Sequence, residues 1–119
     1  MITGLDHVQV AIPAASETVA RAYYGALLGM GEVEKPAALA GRGGCWFTAG
    51  TAVLHLGVEE PFTPARKAHP ALLVRDLDGL WQTLQAAGYD CVRADNELPG
   101  IRRLHTFDPF GNRIEFQQE

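Results

Sequence analysis

The sequence predicts an α+β fold built from two βαβββ modules. Three observations point there. A strand pattern followed by a helix pattern and then by short strands occurs twice. The second occurrence begins about 60 residues after the first, a repeat of whole supersecondary units. Polar residues of metal-ligand type recur at matched places in both halves. At 119 residues the chain has the length of one domain, spanning 1–119. Its expected parts are module one at 1–58, a hinge at 59–68 and module two at 69–119.

Leu5 to Ile12 sets Val8, Val10 and Ile12 against His7 and Gln9, the period of a half-buried strand that ends at Pro13. From Ser16 to Leu28 the apolar spacing turns helical, with Ser16 as cap, Glu17 in the first turn and Gly29 as stop. Met30 to Lys35, Gly44 to Thr48 and Thr51 to Val58 are the next strands, separated by glycine-rich and proline-containing turns. A polar, proline-bearing stretch follows at 59–68. His69 to Arg75 then reads as strand, and Leu77 to Ala87 as a helix carrying Leu77, Leu80, Trp81 and Leu84, with Gly88 as stop. Strands at Tyr89 to Arg93, Ile101 to Phe107 and Asn112 to Gln118 complete the second module, the last two joined by a turn at Asp108, Pro109, Phe110 and Gly111.

Composition excludes several classes. A net charge of −4 argues against a nucleic-acid partner held through phosphates. No apolar run approaches the roughly 20 residues of a membrane span, and residues 1–13 lack a signal-peptide pattern, so a cytoplasmic protein with no membrane partner is expected. Cys45 and Cys91 have no C-x-x-C spacing, which argues against a thiolate cluster or a disulfide framework.

Aligning His7 with His69 and His55 with Glu115 superposes the halves. The paired residues lie 48 apart in the first half and 46 in the second, and Phe47 falls on Phe107 without a gap. Successive side chains of a strand point to opposite faces. His7, His55, His69 and Glu115 therefore all oppose the aliphatics of their strands, on the side away from the helices. Any one of them alone reads as an ordinary surface or hydrogen-bonded residue. As a set, imidazoles and a carboxylate on one face suit zinc, iron, nickel, cobalt or manganese. His105, ten residues before Glu115 across a tight hairpin, falls on the same face. Parity adds Gln9, Val53, Leu73, Arg103 and Arg113, with Trp46 and Phe62 as walls. Gln9, Trp46, Arg103 and Arg113 are the substrate-binding candidates, the arginines as a clamp for carboxylate or phosphate. The ungapped alignment puts Cys45 where His105 stands, as a small buried hydrophobe.

The opening LDHVQVAI, the helix end AYYGALLGM, the restart HPALLVRDLDGL and the closing FDPFGNRIEFQ are similar to the landmarks of the vicinal oxygen chelate group, the glyoxalase, bleomycin-resistance and extradiol dioxygenase superfamily. The resemblance covers nearly the whole chain. It implies a cupped, largely open-barrel mixed sheet with metal ligands on the first and last strands of each module. Those positions are His7, His55, His69 and Glu115 here. It further implies one divalent metal ion that chelates two neighbouring substrate oxygens and stabilises an oxyanion by Lewis acidity, and a homodimer. His55 off the metal would serve as base, and His105 resembles an acid/base position that is tyrosine in extradiol dioxygenases.

Three functions compete. The first is a metal-dependent, glyoxalase-like lyase or isomerase acting on a small oxygenated substrate through an enediolate. His55 stands where glyoxalase I has a carboxylate that also serves as base, and the chain lacks extensions to embrace glutathione. The second is ring cleavage by an extradiol-type iron(II) dioxygenase using His7, His69 and Glu115. The third is a non-catalytic, antibiotic-sequestering protein of the bleomycin-resistance kind, against which the full ligand set counts. A fosfomycin-type thiol transferase is a further option, set against Gln9 where that group has threonine.

Overall fold

The alternation at the N-terminus is realised as strand β1 (Val8–Ile12), in which Val10 and Ile12 are buried while Gln9 is exposed, in a computed structural model describing residues 1–119. The chain forms two compact units, Met1–Pro64 and Ala65–Glu119. Each holds one four-stranded mixed sheet.

In the first unit β1 leads into helix α1 (Glu17–Ala20), which widens over Arg21–Leu27 into a π-helical stretch. Its amides reach back five residues, from Leu28 to the Tyr23 carbonyl, for example. The sequence-adjacent Tyr23 and Tyr24 are both buried there. Tyr24 packs edge-on against Tyr23 at 4.9 Å and tilts over Phe47 at 6.1 Å. Ser16 is not the expected side-chain cap, because its hydroxyl donates to the Pro13 carbonyl instead. Strand β2 (Gly31–Val33) is shorter than the expected 30–35, and a one-turn helix, α2 (Ala37–Ala40), fills the loop after it. Strands β3 (Cys45–Ala49) and β4 (Ala52–Val58) close the unit.

The sheet order is β1-β4-β3-β2, with β1 parallel to β4 and the other pairs antiparallel. The helix-side face carries Val10, Ile12, Cys45, Phe47, Leu54 and Leu56, all buried with the two tyrosines. Helix and sheet are tied at Glu17, whose carboxylate accepts from the Gly44 amide at 3.0 Å.

The second unit repeats this topology. Strand β5 (Ala71–Val74) precedes helix α3 (Leu77–Ala86), and β6 (Val92–Arg93), β7 (Arg103–Phe107) and β8 (Arg113–Gln118) follow, in the order β5-β8-β7-β6. Strand β5 is parallel to β8, its partner at the centre. Asp76 caps α3 by accepting from the Gly79 amide at 2.9 Å. Leu77, Leu84, Leu104, Ile114 and Phe116 form the core beneath that helix. The β7–β8 turn is organised by Asp108, which accepts from the amides of Phe110 and Asn112. The Asn112 side chain then accepts from the Ala65 amide, anchoring the start of the unit.

Candidate metal centre

The observed register decides what surrounds each candidate. In the second unit Glu115 lies on central strand β8, opposite Ala71 of β5 and His105 of β7. His69 sits two residues before β5 rather than within it, held in place where the Glu115 amide donates to the Pro70 carbonyl. His69 Nε2 lies 3.1 Å and His105 Nε2 3.0 Å from Glu115 Oε1. Ligand atoms of the three residues fall within 4.8 Å of one another. Arg103 Nη1 approaches the same oxygen at 3.3 Å, and Gln117 donates to Glu115 Oε2 at 2.6 Å.

The donor set fits a divalent cation. A neutral imidazole carries one N–H. His69 Nδ1 faces the Lys67 carbonyl at 2.7 Å, and its Nε2 meets a carboxylate oxygen, a position in which a cation would take the place of a proton. Two electron-rich atoms so placed favour positive charge between them, and the backbone carbonyl on Nδ1 is the usual partner of a metal-ligating histidine. Burial pushes the Glu115 carboxyl up, but hydrogen bonds from Gln117, His69 and His105 and the charge of Arg103 override it and hold it at about 2. It is thus ionised at any ordinary pH. For His105, burial and then the charge of Arg113 lower the pKa, and its bond to Glu115 opposes them only in part. Its ring is neutral at pH 7 and able to ligate or to accept a proton.

In the first unit His55 occupies the equivalent central strand, opposite Gln9 of β1 and Trp46 of β3. Its ring is stacked between two others: Trp46 at 3.8 Å and 2°, and His7 at 4.0 Å and 24°. Burial and then the His7 charge lower its pKa. His7 precedes β1, as His69 precedes β5, and its Nδ1 meets Asp6 at 2.8 Å. His7 and His55 are therefore gathered in one unit, and His69, His105 and Glu115 in the other.

The cross-strand pairing corrects the ungapped alignment. Glu115 faces His105, while His55 faces Trp46, so Trp46 and not Cys45 is the counterpart of His105. The hairpin of the first unit is one residue shorter between these positions, which sequence superposition without a gap cannot register. Cys45 lies on the opposite, helix-side face beside Leu56, and burial pushes its thiol to about 11. Arg103, expected to clamp substrate, spends its guanidinium on Glu97 at 3.0 Å and on Glu115. Gln117 was not among the sequence candidates, though its parity with Glu115 on β8 gives it the same face.

These features define a class of protein. The chain belongs to the Glyoxalase/Bleomycin resistance protein/Dioxygenase superfamily, whose family model matches residues 4–116. Members of this superfamily often bind a divalent metal. Over its full length the chain is 47% identical to a glyoxalase family protein from Bacillus anthracis, covering 97% of that chain with a TM-score of 0.93. It shares its fold with a glyoxalase/dioxygenase from Nostoc punctiforme (19% identity, 98% and 90% coverage, TM-score 0.76). The same holds for the fosfomycin resistance protein FosX from Listeria monocytogenes (14% identity, 100% and 95% coverage, TM-score 0.77). No curated protein matches.

Proposed function

We propose that this protein is a metal-dependent, glyoxalase-like enzyme acting on a small oxygenated substrate. The single observation that carries the reading is the His69–His105–Glu115 cluster, with its ionised carboxylate and two imidazole nitrogens turned onto it. In this reading His69 and Glu115 are ligands from the second unit. When bound, the ion supplies Lewis acidity to a pair of neighbouring substrate oxygens.

The chain's own residues do the rest. Gln117 and Arg103 orient the carboxylate, and Lys67 fixes the His69 tautomer. His105 has the lowered pKa of a proton acceptor at neutral pH and is the proposed acid/base group. A position against Glu115 also makes it a candidate third ligand of the second unit, in the 2-His-1-carboxylate pattern associated with iron(II). That observation favours an iron dioxygenase as the second reading. The functional form is proposed to be a homodimer, which sedimentation equilibrium tests directly.

Elemental analysis of purified protein separates these readings. Stoichiometric metal is expected in the wild type and a loss of most of it in His69→Ala and Glu115→Ala. Retention in His105→Ala marks that residue as an acid/base group, and loss there marks it as a ligand. Iron favours ring cleavage; zinc or nickel favours glyoxalase chemistry. Wild-type protein that takes up no divalent ion after reconstitution would falsify the metal reading.

A further inference from the structure

The three cations of the first unit have different surroundings. Arg21 is paired with Glu32 at 2.9 Å. Lys35 and Arg42 have no carboxylate within ion-pair distance, and Lys35 Nζ donates only to the Gly43 carbonyl. The nearby Glu17 carboxylate accepts from the Gly44 amide and acts on Lys35 through its charge without pairing with it directly. Both free cations line one concave pocket of about 270 Å³ together with Gln9, Leu39, Trp46 and Val58. Six carboxylates against three cations make residues 1–64 acidic as a whole, so this is a local positive site and not part of a basic surface.

The pocket adjoins the candidate chemistry within the same unit. Gln9 and Trp46 are the cross-strand neighbours of His55. The Gln9 amide reaches across the adjacent strand over Gly57, where a Cβ would come within 2.8 Å of Nε2. Glycine at 57 thus leaves the path for that amide open.

We propose that this pocket binds the acidic group of a small organic acid. Lys35 and Arg42 hold the oxyanion, the Gln9 amide adds a neutral hydrogen bond, and the carbon skeleton lies against the Trp46 indole, Leu39 and Val58. The ligand class is a carboxylate or phosphonate on a compact, partly apolar frame. A volume just under the roughly 300–1,000 Å³ of drug-sized ligand sites suits a compact acid. The proposal rests on the metal-enzyme reading only in treating the acid as substrate; the binding itself needs no ion.

Fluorescence in a Trp81→Phe background tests it, because Trp46 is then the sole tryptophan. Benzoate and phenylphosphonate, with benzyl alcohol as neutral control, are titrated into full-length protein with and without a chelator. At least one acid is expected to quench saturably under both conditions, and whichever does assigns the oxyanion. Lys35→Gln and Arg42→Gln are each expected to weaken binding at least about tenfold, the size of one charge-assisted hydrogen bond. The Arg42 guanidinium makes no ion pair, and the backbone amide that donates to Leu39 survives substitution, so its variant keeps the fold even if the Lys35 variant loosens the loop. Equal binding of benzyl alcohol, or unchanged affinity in Arg42→Gln, overturns the proposal. Acid binding abolished by chelator overturns it too while leaving the metal reading intact. Acid binding retained in protein that takes up no metal supports the pocket and removes the metal reading alone.

Discussion

Glu115 shows how one buried side chain is kept ionised. It is 3% exposed, yet four neighbours hold its carboxyl at about 2. The folded value lies below the unfolded value of about 4.3, so these interactions add stability that is full above that pH and lost as pH falls from about 4.3 towards 2. In metal-free protein the urea stability of the wild type relative to Glu115→Gln is expected to shrink across that window. Gln117→Leu, which removes the 2.6 Å bond to Oε2, should shift the loss to higher pH. A difference that stays constant from pH 7 to 2.5 would contradict the assignment. Parity placed Glu115 on the correct face, but only the folded strands could show that Gln117 and Arg103 converge on it.

At the level of elements, two glycines of the first unit make opposite demands. Gly44 has φ +80°, and a Cβ there would collide with the Leu56 carbonyl oxygen, while its amide serves Glu17. Gly44→Ala is expected to lower stability by about 2 kcal/mol or more in chemical denaturation, combining left-handed strain with a backbone clash. Gly25 lies in the π-helical stretch, and a Cβ there meets Phe47 at an ordinary 3.5 Å. Gly25→Ala should therefore raise stability by about 0.5–1 kcal/mol by removing unfolded-state freedom. A Gly44→Ala variant as stable as the wild type would mean the β3 entry can rearrange. The element boundaries in the sequence were least legible here: Ser16 looked like a cap, and nothing in the apolar spacing announced the widened turn that buries adjacent tyrosines.

At the level of the whole molecule, a ligand that binds only the native state stabilises it by mass action. At a hundredfold excess over Kd the gain is about 2.7 kcal/mol, roughly 10 °C in Tm for a chain of this size. Added zinc or iron(II) is expected to raise Tm in the wild type by that order, chelator to reverse it, and Glu115→Ala to abolish it. An equal shift in Glu115→Ala would place the stabilising ion elsewhere.

The sequence by itself determined the α+β class, the repeated strand–helix–strand order, the buried face of every long strand and the residues of ligand type, because period-2 and period-3.6 patterning are local consequences of backbone geometry. It also carried the family, since the landmark segments persist in order along the chain. Register between strands was decided only in three dimensions. A hairpin one residue shorter puts Trp46, not Cys45, opposite His55, and this cannot be seen until backbone hydrogen bonds pair the strands. The convergence of Lys35, Arg42 and Gln9 on one pocket was likewise a tertiary outcome. Lys35 and Arg42 flank α2 in one loop, and their meeting with Gln9 of β1 depends on packing that no spacing along the chain encodes.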